Sequence, residues 1–297
     1  MALTPTPSEL RVQTLSVDSR FADQIYGTTA DYMIRLPATM RNVGRVGLTS
    51  IEVPQVGYVF SATIANTTLA VTDPSGLVVF GTATIGDGNY GGADLANAVS
   101  NAMTLVLGLS GSCDYNPISN RFSFLNTGVL PFTLALQSPN GVVAARARDW
   151  GLGFNLGFRT FLVTVPVGAL VAPATPALGL PAYLLLQLQC PDMMENTLHR
   201  LADGSFVQAL AKIVLRPGPL CGDSCYYQVQ YDDARNGLRK ENVFVRPTSI
   251  AQLRIRLLDA YGAVVEMGDT DWSATFEFTE VVSAGQYAAL NRAMPGR

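Results

Sequence analysis

Residues 31–37 read DYMIRLP, and residues 46–54 read VGLTSIEVP. Both stretches combine apolar, aromatic and β-branched residues, a composition that favours β-strands. In the second stretch, Val46 and Leu48 fall on one face of the strand, whereas Ile51 falls on the other. A change of phase within one strand predicts a β-bulge or a bend.

Strand character continues along most of the chain. Segments bounded mainly by Gly, Pro, Asn or Asp predict strands at 68–71, 77–84, 121–125, 132–137, 161–165, 183–189, 207–215, 226–231, 252–258 and 274–282. Helical character is concentrated at 93–107, where apolar residues recur at spacings of three and four. Weaker helical patterns lie at 142–150 and 284–294.

Strand-rich ends therefore surround an island that contains a helix. This order predicts a mainly β protein, an antiparallel jelly-roll β-sandwich with a small α+β insertion. We expect the sandwich, with its terminal arms, at 1–84 and 159–297 and the inserted subdomain at 85–158. Residues 165–181 hold four prolines, so we predict a long extended connection there. We expect this arm and both chain ends, 1–9 and 284–297, to contact other subunits.

Composition and charge exclude several classes of protein. Hydrophobic residues make up 48% of the 297 residues, and 20 basic against 23 acidic side chains leave a net charge of −3. This balance excludes a disordered chain and gives no reason to expect direct contact with nucleic acid. The longest apolar run, Leu178–Cys190, is interrupted by Pro181, so we expect no transmembrane helix. No secretory signal is visible at the N-terminus, and we therefore expect reduced cysteines.

Residues 86–91 read GDGNYG and match the G-x-G-x-x-G fingerprint of dinucleotide-binding loops. The motif follows a predicted strand and precedes the predicted helix, as that fingerprint requires. The chain after the helix, however, predicts a hairpin that turns at 116–119 instead of a parallel strand. We therefore interpret the motif as a Gly-rich turn into a helix whose N-terminal end is stabilised by Asp94, and we predict no cofactor.

The cysteines and the single histidine do not form a recognisable site in the sequence. Besides Cys113 and Cys190, the chain has Cys221 and Cys225 in a C-x₃-C spacing. That spacing lacks the further ligands of a zinc site, so no metal is predicted, and a disulfide between these two residues stays open. His199 lies in a polar segment without a nucleophile motif, and we predict an exposed loop histidine.

Neither the paired carboxylates nor the glycosylation pattern of the sequence is interpreted as a functional site. Asp232 with Asp233, and Asp269 with Asp271, sit in turn-like segments where Asp caps or solvates a bend. Asn66 begins the acceptor pattern N-T-T, which we expect to be unused because no secretory signal is visible. We predict no catalytic, cofactor-binding or metal-binding residues and no enzymatic activity.

Several blocks of the sequence resemble, in the same order, one family of proteins. LSVDSR at 15–20 is similar to that family's "(I/V)DSRDR" opening, although Phe-Ala-Asp at 21–23 replaces the second Asp-Arg pair. Residues 31–54 resemble its first two sandwich strands, and residues 88–95 resemble the start of its helix. Further similar blocks lie at 114–124, 150–154, 183–188, 211–215, 253–262 and 272–278. The family comprises the jelly-roll minor capsid and penton-type proteins of nucleocytoplasmic large double-stranded DNA viruses.

The resemblance implies a structural protein of a large icosahedral DNA virus capsid, assembled inside the infected cell. The expected partners are the major capsid protein and other minor capsid proteins, together with copies of the same chain, a pentamer if the protein is the penton. Contact with an inner membrane stays open. Two other classes are compatible with the sequence: a carbohydrate- or receptor-binding β-sandwich module, and a hydrolase on a sandwich fold.

Overall fold

The computed structural model describes residues 10–54, 58–137, 150–179, 182–190, 197–201, 204–215, 226–230, 240–267 and 270–282. Several predicted features lie outside these residues: the arms at 1–9 and 284–297, and the weaker helices at 142–150 and 284–294, of which only Trp150 is described. The pairs Cys221–Cys225 and Asp232–Asp233 lie outside them as well.

Strands dominate the described residues. They are β1 (Leu10–Asp18), β2 (Gln24–Tyr26), β3 (Thr28–Pro54), β4 (Thr68–Thr72), β5 (Val79–Thr84), β6 (Gly111–Asn116), β7 (Arg121–Asn126), β8 (Phe132–Ala135), β9 (Leu162–Val165), β10 (Gly168–Val171), β11 (Tyr183–Gln189), β12 (Thr197–Arg200), β13 (Phe206–Ala209), β14 (Ala211–Val214), β15 (Tyr226–Gln230), β16 (Lys240–Leu258) and β17 (Ser273–Val281). Helix α1 spans Gly92–Leu107, and the short helix α2 spans Leu152–Asn155. Every strand pairing described is antiparallel, and the predicted fold class, a jelly-roll sandwich with a small α+β insertion, is confirmed.

The chain divides into two compact units. The first comprises Met1–Gly57 and Pro181–Arg297, and the second comprises Tyr58–Leu180. The second unit therefore extends beyond the insertion predicted at 85–158. The unit is larger because β4, β5 and β9, which lie outside 85–158, pair in one sheet with β8, which lies inside it, in the order β5-β4-β8-β9.

A single long strand organises the first unit. The two strands predicted at 31–37 and 46–54 form one continuous strand, β3, of 27 residues. The sheet order is β1-β17-β3-β16-β11-β14, with β2 and β15 also paired to β3. Opposite β17, Ser50 and Leu48 face Thr275 and Phe276, which leaves Thr49 as an extra residue. The bulge predicted from the change of phase is confirmed.

The core of the first unit follows the period of its strands. Along β17, Ala274, Phe276 and Phe278 are fully buried, whereas the intervening residues are partly exposed. Alternation of this kind places one face of the strand in the core. Trp272, at the entrance to β17, and Tyr32 of β3 pack edge to face with ring centroids 5.5 Å apart.

Helix α1 provides the core of the second unit together with two sheets. Its buried residues are Leu95, Ala96, Val99, Ala102 and Met103, a stripe of three- and four-residue spacing. The predicted helix and the predicted hairpin after it, β6–β7, are both confirmed. Ser100 joins helix to hairpin, because its hydroxyl donates to the Cys113 carbonyl oxygen at 2.6 Å and accepts from the Cys113 amide at 2.8 Å.

The Pro-rich arm contains a strand that the sequence analysis missed. Strand β10 pairs with β7, and Ala172 just beyond it is fully buried and donates to the Phe122 carbonyl at 2.8 Å. The prolines were predicted to exclude a helix or a central strand at 165–181, and the extended connection includes the edge strand β10, which was not predicted. Pro166 and Pro173 flank β10 instead of interrupting it, and β10 is an edge strand, where flanking prolines remove no ladder bond.

Candidate functional site

The G-x-G-x-x-G loop is bonded to the segment that precedes β4. Gly88 and Phe60 exchange both backbone hydrogen bonds, at 2.9 and 3.1 Å. The Asn89 side chain accepts from the Val59 amide at 2.8 Å, and the Asp87 carboxylate accepts from the Ala62 amide at 2.9 Å. The loop thus uses these groups to hold a neighbouring segment, and the antiparallel β6–β7 hairpin follows its helix. The interpretation as a Gly-rich turn agrees with this geometry.

His199 lies in a strand. It belongs to β12 and faces Val207 of β13, and its side chain is half-buried. The prediction of an exposed loop histidine is therefore wrong. Leu198 and Arg200 on either side of His199 are exposed, because a two-stranded ribbon leaves much of its surface open to solvent, and an exposed polar residue such as Arg200 suggested a loop.

Cys113 and Asn66, which were considered as candidate site residues in the sequence, are both buried within the second unit. Cys113 is buried in β6, and burial raises the pKa of its thiol far above the usual range, which makes it a poor nucleophile. Asn66 is buried and its amide donates to the Val59 carbonyl at 2.6 Å and to Asn155 at 3.2 Å. A buried, bonded amide is not accessible for glycosylation in the folded protein. Within the described ranges, no group of three or more His, Cys, Asp or Glu side chains is arranged to hold a metal ion.

The LSVDSR block forms a connected polar cluster in the first unit. Asp18 caps a single 3-10 turn at 19–21. Its carboxylate accepts a hydrogen bond from the Arg20 backbone amide at 2.9 Å and further bonds from two nitrogens of the Arg20 guanidinium, the closest at 2.6 Å. These hydrogen bonds from Arg20 hold the pKa of Asp18 below its ordinary value. Asp18 and Arg20 are thereby committed to each other and to the turn.

Ser19 connects this turn to the start of β17. Its hydroxyl donates to the Asp271 carboxylate at 2.9 Å and accepts from the Trp272 amide at 3.1 Å, and its own amide donates to the Trp272 carbonyl at 3.0 Å. Ser19 is fully buried, so these bonds replace solvent completely. The Trp272 indole donates in turn to the Thr29 carbonyl at 2.8 Å. We call Asp18, Ser19, Arg20, Asp271 and Trp272 the strand lock.

A polar cleft of about 340 Å³ opens beside the strand lock, where Glu52 and Ser273 complete its wall. Its three carboxylates each accept a hydrogen bond, Asp18 from Arg20, Asp271 from Ser19 and Glu52 from Ser273 at 2.7 Å. General acid–base catalysis needs a proton-transfer group aimed at a substrate. In this cleft the Ser19–Asp271 bond joins the turn after β1 to the entrance of β17, and the Glu52–Ser273 bond joins β3 to β17, whereas the Asp18–Arg20 contact is local to the turn.

A second polar contact of the first unit was not anticipated from the sequence. Asp31 is buried in β3, and both of its carboxylate oxygens accept from the Arg254 guanidinium of β16 at 2.7 Å. The guanidinium also lies 4.2 Å from the centre of the Tyr26 ring. The signal in the sequence for this contact was a charged residue, Asp31, at the start of the strand predicted at 31–37.

None of the helices in the described part of the chain combines the length and the apolar character needed to cross a membrane.

No family model matches the chain, and no curated protein matches it. Among solved structures, the chain is similar to the selenomethionine-labelled mavirus penton protein, with a TM-score of 0.46, 10% identity and coverage of 91% of this chain and 98% of that chain. It is also similar to a chain of the Sputnik virophage structure determined by cryo-EM, with a TM-score of 0.42, 9% identity and coverage of 93% and 99%.

Proposed function

We propose that this chain is a structural protein of a large icosahedral DNA virus capsid, a minor capsid or penton protein that contributes to capsid assembly and stability. The observation that carries the proposal is the placement of the family-like blocks. Blocks from opposite ends of the chain, 15–20, 31–54, 253–262 and 272–278, meet in one antiparallel sheet. The sequence resemblance is thus concentrated in residues that build the sandwich.

The hydrogen bonds within those blocks support a structural role. In the LSVDSR block, Ser19 binds residues more than 250 positions away, at the start of β17. Asp31 and Arg254, from two further family-like blocks, form a bidentate pair across β3 and β16. The polar residues of these blocks, such as Ser19 and Asp31, join distant segments of the fold, and this structural role accounts for their presence. The most specific part of the resemblance therefore needs no substrate.

Particle composition tests the proposal directly. Virions purified on a density gradient from infected cells are washed in high salt and analysed by quantitative mass spectrometry, with the major capsid protein as the reference. We expect this chain at a constant ratio to the major capsid protein before and after the wash. Chemical cross-links to that protein would support the proposed partnership. Absence of the chain from washed particles would contradict the proposal, and glycan binding by the purified chain in that case would favour a carbohydrate-binding module.

The Ser19→Ala variant tests whether the strand lock serves assembly through the fold. Loss of the hydroxyl leaves the Asp271 carboxylate and the Trp272 amide without this partner. We expect reduced incorporation into particles in proportion to reduced stability of the isolated chain. The matched control is Ser119→Ala in the second unit, an exposed residue in the turn between β6 and β7 that belongs to neither the strand lock nor any proposed binding surface. Equal incorporation of the two variants, despite a lower stability of Ser19→Ala, would contradict this coupling.

A further inference from the structure

The tip of the β4–β5 hairpin presents four consecutive apolar side chains to solvent. Leu77, Val78, Val79 and Phe80 are 85%, 57%, 62% and 50% exposed, respectively. We call these four residues the hairpin patch. Single exposed apolar residues are common on protein surfaces, but contiguous exposed apolar patches mark sites of interaction.

The turn before the patch is built to hold it in one conformation. The Asp73 carboxylate accepts from the amides of Leu77 and Val78, both at 2.9 Å, and the Asp73 amide donates to the Val78 carbonyl at 2.9 Å. Hydrogen bonds from Ser75 and these amides lower the pKa of Asp73, so the carboxylate stays ionised near neutral pH. Gly76 supplies the positive φ of 75° that the turn requires. A preorganised apolar segment loses little conformational entropy when it binds.

The patch continues into a strand whose outer edge is open in the described structure. β5 stands at one end of the order β5-β4-β8-β9, and β4 is its strand partner there. Residues 74–86 contain no charged side chain. Proteins usually protect exposed edges with charges, prolines or bulges, because an open edge pairs readily with another strand. An uncharged, apolar edge is suited to pairing with a strand of the same character.

Charge decides between a protein and a membrane as the occupant. No Lys or Arg occurs between Arg45 and Arg121, and the charged residues nearest to the patch along the sequence are Asp73 and Asp87. Segments that bind anionic membranes place basic residues beside their apolar side chains. The acidic flanks of the patch would instead be repelled by an anionic bilayer. The chemistry therefore favours a neutral, apolar protein strand.

The size of the patch sets the strength of the contact. Four side chains of this exposure offer on the order of 400 Å² of surface, about half of the 800 Å² that each partner buries in a stable interface. A contact of this size predicts a weak, reversible association, which a concentration series of the free chain detects at its upper end.

We propose that the hairpin patch and the open edge of β5 form a self-association site, at which β5 of one copy pairs antiparallel with β5 of a second copy. The identical uncharged strands are complementary to each other, as a two-fold contact requires. The inference goes beyond the proposed virion role and does not depend on it. A chain absent from virions could still associate through this edge, and a virion protein could lack the contact.

Sedimentation velocity across a concentration series tests the proposal with the full chain. We expect wild type to show a concentration-dependent step beyond its smallest species, and the Leu77→Lys/Val79→Lys variant to weaken that step at least tenfold. The control variant Ile118→Lys/Val129→Lys adds the same charge at positions that are 96% and 92% exposed in the same unit, and we expect it to behave as wild type. No such step in wild type, or an equal step in the patch variant, would overturn the proposal.

Cross-linking identifies the partner. Val79 is replaced by photoreactive benzoyl-phenylalanine, and light and ¹⁵N-labelled chains are mixed before irradiation. We expect mixed-isotope cross-links from position 79 to residues 77–84 of another copy, and none from the same probe at position 118. Cross-links to a different region would overturn the proposal. Binding of wild type, but not of the patch variant, to vesicles of phosphatidylcholine with or without phosphatidylserine would assign the patch to a membrane instead.

Discussion

In the first unit, ion pairs join strands that are distant in sequence, whereas the described residues of the second unit contain no ion pair. Arg45 of β3 lies between Glu241 and Glu277 at 3.4 and 3.6 Å, and Asp31 pairs with Arg254. In the second unit, neutral side chains pair with each other, as in Asn66 with Asn155 and in the Thr133–Thr164 hydroxyl pair. Its charged side chains bind backbone groups instead, as Asp87 binds the Ala62 amide. Pairs of opposite charge therefore join distant strands in the first unit, whereas neutral side-chain pairs join distant residues in the second.

The largest expected effect is the loss of the Trp272 indole. Trp272→Ala removes a buried ring, its edge contact with Tyr32 and its hydrogen bond to Thr29. We expect the free energy of unfolding of the first unit to fall by about 3–5 kcal/mol. Urea titration followed by hydrogen exchange of first-unit peptides measures the change. Trp272→Phe keeps most of the ring, so a loss as large as that of Trp272→Ala would show that packing is not the main contribution.

Asp31→Asn tests the role of charge in the first unit. The Arg254 guanidinium would lose its charged partner, which holds the pKa of Arg254 above its ordinary value. We expect a loss of about 2 kcal/mol, moderated because the Arg254 side chain is 36% exposed. The double variant Asp31→Asn/Arg254→Met should lose less than the sum of the two single variants. Additive losses in urea titrations would show that the two residues do not act as a pair.

Gly157→Ala tests close packing in the second unit. Gly157 has a φ of 94°, and an added Cβ would collide with the Ala174 carbonyl oxygen. We expect a loss of about 2 kcal/mol, with faster hydrogen exchange at Ala172 and Ala174. Gly168→Ala is the control, because its φ of 106° carries the same backbone strain and no atom lies within 4 Å of the added carbon. Equal losses in the two variants would attribute the effect to backbone strain alone.

The smallest expected effect concerns the pH dependence of the strand lock. The pKa of Asp18 is lowered in the folded state, so its contact with Arg20 stabilises the fold above about pH 4 and is lost as the pH falls through the folded-state pKa. Arg20 is 61% exposed, so we expect less than about 1 kcal/mol. Urea midpoints between pH 2.5 and 6 for wild type and Asp18→Asn should converge at the acidic end. A constant offset at every pH would contradict this assignment.

Local patterns in the sequence were sufficient for much of the fold. The spacing of Leu95, Val99 and Met103 predicted α1, and the change of phase between Leu48 and Ile51 predicted the bulge. Both signals depend only on the period of neighbouring side chains. The edge strand β10 was missed because prolines near a strand end resemble prolines in a linker. The location of His199 in β12 was missed because a short exposed ribbon has the composition of a loop.

The sequence by itself determined the mainly β class, the helix and the absence of any recognisable catalytic spacing. Only the tertiary structure decided which distant residues meet: Ser19 with Trp272, Asp31 with Arg254, and β4 with β8. Periodicity is a property of neighbours along the chain, whereas these contacts join residues between 61 and 253 positions apart. Their selection depends on strand order and register, which follow from the burial of all strands at once.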